Sequence, residues 1–226
     1  MVHFARAFTL VEVLVTIAVI GVLLGVLLPA VSRARQAATG EACLVNSRSF
    51  GHAMTLYGSD YNFYFPRSSH SAGNQASPIA WLKCLEPYGV TAQARKCPDD
   101  PARDSRQSSY ATNDHLEPLV PGIDYSPITG RPLPGGRSRA LTRITDLPRP
   151  GATFYTCEPL GTGTIDHVHS IGWASASQVR AALAVDRHLN ASNFAYADGR
   201  AAPVTWPWFR DNFGPTNNPF NPLVAR

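Results

Sequence analysis

The chain has only two lysines, Lys83 and Lys96. Neither follows a phosphate-binding glycine pattern, which excludes a Walker-type nucleotide loop. The G-x-S-x-G elbow of serine hydrolases is also missing. Four cysteines are present, Cys43, Cys84, Cys97 and Cys157, with none of the paired C-x-x-C spacing of a zinc module. Beyond residue 60 no long helical period recurs, and only 79–88 and 175–185 carry short ones. The expectation is a protein that is not an enzyme and has neither a cofactor nor a bound metal.

What the chain does have is one long apolar run. Residues 8–31 read FTLVEVLVTIAVIGVLLGVLLPAV, and a membrane-spanning helix needs about 20 mostly apolar residues. The run carries one charge, Glu12, and an acid in such a helix costs about 2.5–3.5 kcal/mol on insertion scales. A secretory signal would have a shorter apolar core with its small-residue cleavage site after it; here Ala5-Arg6-Ala7 comes before the run. A plain anchor explains the length but not the acid, and a buried core helix is seldom apolar all round. An acid kept at this place calls for a cationic partner. Gly21 and Gly25 form a G-x-x-x-G pair that permits close approach of a second helix. Pro29 removes a backbone donor and is expected to kink or loosen the helix.

The helical pattern continues beyond the apolar run, with Cys43, Phe50, Met54 and Tyr57 recurring on one face. Gly58, Ser59 and Asp60 read as stop signals. From residue 60 to 226 the composition turns to proline and glycine, in a length that suits one domain. Strand candidates are 152–157, 193–197 and 201–206. Asp198-Gly199 between the last two supplies the positive φ angles of a tight hairpin. Residues 118–150 read as a long surface loop carrying Arg131, Arg137, Arg139, Arg143 and Arg149. The segment from Trp206 onward, rich in aromatics and proline, reads as extended. The fold class is α+β: a long N-terminal helix packed on a small antiparallel sheet domain.

Several polar groups are candidates for chemistry. His167 and His169 in a strand would share a face beside Asp166, without the further ligands of a complete metal set. His188 and Asp198 frame the hairpin, where the simplest role of Asp198 is to serve the turn. The four cysteines allow three pairings, and disulfides suit an exported domain. The net charge is +4, with a pI near 9.0, and reads as a solvated basic surface.

Ala7-Phe8-Thr9-Leu10-Val11-Glu12-Val13-Leu14 resembles the processing site of type IV prepilins and type II secretion pseudopilins, although that family usually has glycine where Ala7 stands. The resemblance implies a leader at 1–7, cleavage between Ala7 and Phe8, N-methylation of Phe8, and a helix over 8–59 whose membrane segment is 8–31. Glu12 then lies one helical turn from the new amine and implies a charge pairing that guides assembly between subunits. Further matches are Cys43-Leu44 with Asn46, YGSDYNFYFP at 57–66, Cys97-Pro98, Ser109-Tyr110 before Asn113, and His188-x9-Asp198-Gly199. These resemble a pseudopilin-like bacterial family described as prepilin-processing associated. That likeness implies a Cys43–Cys97 disulfide, leaving Cys84 and Cys157 as the remaining pair.

The implied function is a structural subunit of a type II secretion or type IV pilus-like filament. Its partners would be prepilin peptidase, other pilin-like subunits, an inner-membrane platform protein, an assembly ATPase and the membrane. Nucleic acid is not an expected partner. The implied location is the bacterial inner membrane, single-pass, with the leader cytoplasmic and the 60–226 domain outside. Counting Arg33 and Arg35 against Arg6 alone would favour the reverse orientation, and the resemblance overrides that count. Alternatives of other classes are a minor pilin that binds DNA or surfaces and a membrane-tethered extracytoplasmic enzyme using the histidines.

Overall fold

The computed structural model describes residues 9–66, 68, 79–116, 124–125, 132–133, 143–170 and 172–226. The chain divides into two compact units, Met1–Ala38 and Thr39–Arg226. Helix α1, Leu10–Asp60, begins in the first and ends in the second. Ala7 and Phe8 lie outside the described residues, as do Arg131, Arg137 and Arg139.

In the first unit α1 is exposed at every described position, from Leu10 through Leu14, Ile17, Leu24 and Leu28 to Val31. It is the one helix among the described residues long and apolar enough to cross a membrane, and none of its apolar window is buried in protein. Apolar side chains on every face are the mark of a segment whose surroundings are themselves apolar. The helix runs unbroken through Pro29.

The second unit begins with the last turns of α1, whose stripe Cys43, Leu44, Ser47, Phe50, Ala53, Met54 and Tyr57 is buried. Helix α2, Ala80–Leu85, supplies Trp81, Leu82 and Leu85 to the same cluster, with Phe50 between Trp81 and Tyr110 at ring-centroid distances of 5.4 and 5.0 Å. Beside α1 lies a five-stranded sheet. Its strands are β1 (Ala111–Asn113), β4 (Phe154–Cys157), β5 (His167–Val168), β6 (Ala191–Tyr196) and β7 (Ala201–Thr205), in the order β5-β1-β4-β6-β7. All neighbours are antiparallel except β1 and β5, which pair in parallel with Thr112 opposite His167. The short β2 (Asp124–Tyr125) and β3 (Pro132–Leu133) pair separately, so the stretch read as a plain loop contains a small ladder.

The central strands β4 and β6 are buried along their whole length. Ala195 of β6 joins the cluster with α1, while Phe194, its neighbour, lies in a second cluster. Successive side chains on a strand point to opposite faces, which is why one strand serves two cores. The second cluster stacks Phe154 on Phe194 at 4.1 Å and closes with Phe209 and Phe220. α3, Ala176–Ala182, is capped by a Ser175/Gln178 box.

The C-terminal segment departs from expectation. Residues Trp206–Asn212 form α4, not an extended strand. Thr205 caps it, its Oγ1 accepting from the Trp208 N–H at 3.3 Å, and Pro207 sits in the first turn, where its missing N–H costs nothing. Aromatic density is blind to this distinction; the Thr-x-Pro start signal carries it.

Candidate functional site

Glu12 occupies the first turn of α1. Its Oε2 accepts from the Thr9 N–H and from Thr9 Oγ1, both at 2.8 Å, and the Glu12 N–H donates to Thr9 Oγ1 at 3.2 Å. Thr9 and Glu12 therefore form a reciprocal capping box, satisfying donors that a helix start leaves open. The spacing Thr-x-x-Glu signals this cap in the sequence, and it gives Glu12 a local role that reading it as a bare charge overlooks. A Cβ placed on Gly21 or Gly25 would meet nothing within 4 Å, so that face of α1 is open. 

In the second unit the signature His188-x9-Asp198-Gly199 spans β6 from end to end. The Asp198-Gly199 turn closes the β6–β7 hairpin: Gly199 has φ +92° and donates to the Tyr196 carbonyl at 3.0 Å. Only Gly199 of the pair takes a positive φ, so the turn is longer than the two-residue type expected. Asp198 Oδ1 accepts from the Arg200 N–H at 3.1 Å and stabilises the turn. Gly199 rests on α1, where a Cβ would come 2.7 Å from Thr55 Oγ1.

At the other end of β6, His188 packs on Gly40 of α1, 3.4 Å from a Cβ placed there. It joins three elements. Its Nδ1 lies 3.0 Å from Asp99 Oδ2, and its Nε2 lies 2.9 Å from Glu158 Oε1 and 3.5 Å from Cys97 Sγ. Burial opposes a charge on His188, but the contacts with Glu158 and Asp99 outweigh it and raise its pKa above the ordinary histidine value. Glu158 follows β4 and is fully buried. Its Oε2 accepts from Ser192 Oγ at 2.8 Å and from the Asn193 N–H at 3.0 Å, which leaves Oε1 facing the imidazole. Asp99 is itself held by Thr39 Oγ1 at 2.7 Å. A buried carboxylate is tolerable only with such partners.

Cys43 of α1 is bonded to Cys97 beside this cluster, as the family resemblance implied, with Cα atoms 5.2 Å apart. Asn46 supports the junction by donating to the Lys96 carbonyl at 3.1 Å. The implied second bridge, Cys84–Cys157, is not formed. Cys157 is sealed in the sheet core with its Sγ toward the Ala111 carbonyl, whereas Cys84 lies on α2 at the rim of the other cluster. The two sulfurs belong to different cores.

His167 and His169 do come together, ring centroids 4.6 Å apart, but with different surroundings. His167 is buried with Nδ1 2.8 Å from Asp166, while the exposed His169 lies 3.8 Å from Asp114. Arg143 stacks on Tyr64 at 4.4 Å and Arg149 donates to the Ala225 carbonyl at 3.4 Å, so these two arginines of the basic stretch hold protein groups. Sequence reading missed Glu158 and Asp99, whose roles arise from chain segments far from His188.

A prokaryotic N-terminal methylation motif matches residues 3–28. No curated protein and no solved structure matches the chain. The motif supports a type IV pilin-like protein processed by prepilin peptidase, and it implies assembly with other pilins. The apolar start of α1 fits membrane anchoring of that kind.

Proposed function

We propose that the chain is a structural, non-enzymatic subunit of a type II secretion or type IV pilus-like filament, a pseudopilin. One observation carries this reading: the methylation motif, residues 3–28, covers the start of a helix whose opening stretch is apolar on all faces, with an acid in its first turn. Prepilin peptidase cuts between Ala7 and Phe8, and the Phe8 amine is methylated. The subunit waits in the bacterial inner membrane with its N-terminus in the cytoplasm and the residues beyond α1 outside. A platform protein and an assembly ATPase then move it into the filament.

In that assembly Glu12 neutralises the Phe8 amine of a neighbouring chain, since an unpaired charge in an apolar interior is costly. The open Gly21–Gly25 face admits a second helix at close range. Its test is mass spectrometry of the mature N-terminus after co-expression with a prepilin peptidase. A chain beginning at N-methylated Phe8 is expected; an intact Met1 overturns the reading.

A further inference from the structure

Four potential ligand atoms converge at the His188 end of β6. The Cys43 and Cys97 sulfurs, His188 Nε2 and a Glu158 carboxylate oxygen all lie within 4.8 Å of one another, and all four residues are buried. We infer that in the reduced chain Cys43, Cys97, His188 and Glu158 form a tetrahedral Zn2+ site, to which the Cys43–Cys97 disulfide is the oxidised alternative.

The surroundings are those a metal needs. Bond lengths to zinc of about 2.3 Å for sulfur and about 2.0–2.2 Å for nitrogen and oxygen set tetrahedral edges of about 3.3–3.8 Å. The His188 Nε2 to Cys97 Sγ separation of 3.5 Å already matches such an edge, and Nε2 to Glu158 Oε1 at 2.9 Å needs a small opening. His188 presents Nε2 inward because Asp99 holds Nδ1, and Asp99 is in turn anchored by Thr39. A carboxylate orienting the far nitrogen of a ligating histidine is the usual outer support of zinc. Glu158 likewise has one oxygen fixed by Ser192 and Asn193 and the other turned to the centre. Two thiolates, one imidazole and one carboxylate are a donor set zinc accepts.

The chemistry balances without a further reagent in the loading step. Each thiol gives up a proton, His188 gives up the Nε2 proton it shares with Glu158, and both sulfurs, Nε2 and the freed Glu158 oxygen bond to Zn2+. Oxidation runs by thiol–disulfide exchange with a protein or small-molecule disulfide: the two sulfurs join, the incoming disulfide leaves as two thiolates, and Zn2+ is released. The site thus reports whether the chain has met an oxidising compartment. The four ligands draw together α1, the segment before Pro98, the end of β4 and the approach to β6, so metal or disulfide staples the same junction.

The experiment uses the full chain in detergent. Protein reduced with a phosphine and stripped by a chelator is titrated with Zn2+, and with Co2+ as an optical probe of thiolate ligation. One Zn2+ per reduced chain is expected, with a cobalt–thiolate charge-transfer band, slower closure of the Cys43–Cys97 bridge, and no uptake by the oxidised chain. Cys97→Ser and Glu158→Gln should abolish or strongly weaken uptake, Asp99→Asn should weaken it about tenfold to a hundredfold, and Cys84→Ser should leave it intact. Should His188→Ala fail to fold, the serine and glutamine variants still decide the matter. No stoichiometric uptake by the reduced chain, or uptake that survives Cys97→Ser, overturns the assignment.

Discussion

Gly51 of α1 and Gly199 of the β6–β7 turn meet backbone to backbone, so close that a side chain on Gly51 would strike the Gly199 carbonyl. At the other end of the same strand His188 lies against Gly40. The nine residues between His188 and Asp198 are therefore the length of a strand that grips the helix at both ends, about 16.5 Å apart along the helical rise.

Alanine at Gly51 would favour the helix by about 1 kcal/mol through propensity alone. Its Cβ faces rigid backbone, and overpacking against such a wall costs about 1–3 kcal/mol. The net effect of Gly51→Ala is expected to be destabilising, read as a lowered midpoint in denaturant for the full chain in detergent. Gly21→Ala, with open space around it, meets no such wall and should not lower that midpoint.

Glu12 has a capping role that can be separated from its charge. Glu12→Gln keeps an acceptor for the Thr9 N–H and O–H, whereas Glu12→Ala removes it and leaves the Thr9 N–H without its capping partner. Under the proposed function both variants are cleaved and inserted normally, and both fail to enter filaments. Recovery of assembly in Glu12→Gln, measured as incorporation into sheared filaments, would show that the cap and not the charge is required.

Asn113 ties the sheet to the C-terminal segment. Its Nδ2 donates to the Phe154 and Phe220 carbonyls at 2.9 and 2.8 Å, and its Oδ1 accepts from Ser170 Oγ at 2.9 Å and the His115 N–H at 3.1 Å. Asn113→Ala strands buried acceptors and should cost about 2–3 kcal/mol, seen as a lower unfolding midpoint and earlier exposure of the tryptophans by fluorescence.

Asp114 sets an acid limit on stability. Burial raises its pKa, but His169, His115 and the Ser170 hydroxyl outweigh burial and hold the carboxyl below the ordinary aspartate value. A depressed carboxylate contributes stability above its unfolded pKa and loses it as pH falls through the folded one. Wild type should therefore exceed Asp114→Asn in stability at neutral pH, with the two converging as pH drops below about 4. A constant difference across that range would contradict the account.

Parts of this molecule were legible without coordinates because they rest on local rules. The apolar run announces α1 by its length and all-round hydrophobicity. The hairpin strands around Asp198-Gly199 fall within a residue or two of β6 and β7. β1 and β5, at three and two residues, are too short for any period to register. α4 was hidden by its aromatic composition although Thr205 and Pro207 mark its start.

The membrane-length helix, the processing motif, the stripe from Cys43 to Tyr57 and the hairpin are all written locally, since each depends on residues close together in the chain. That Cys157 and Cys84 stay apart and that Glu158 meets His188 follows from the packed fold alone. Glu158 and Cys97 lie 30 and 91 residues from His188, and their meeting depends on strand order and on which face of β6 turns toward α1. Periodicity records which residues share a face, but it carries no record of what that face is laid against.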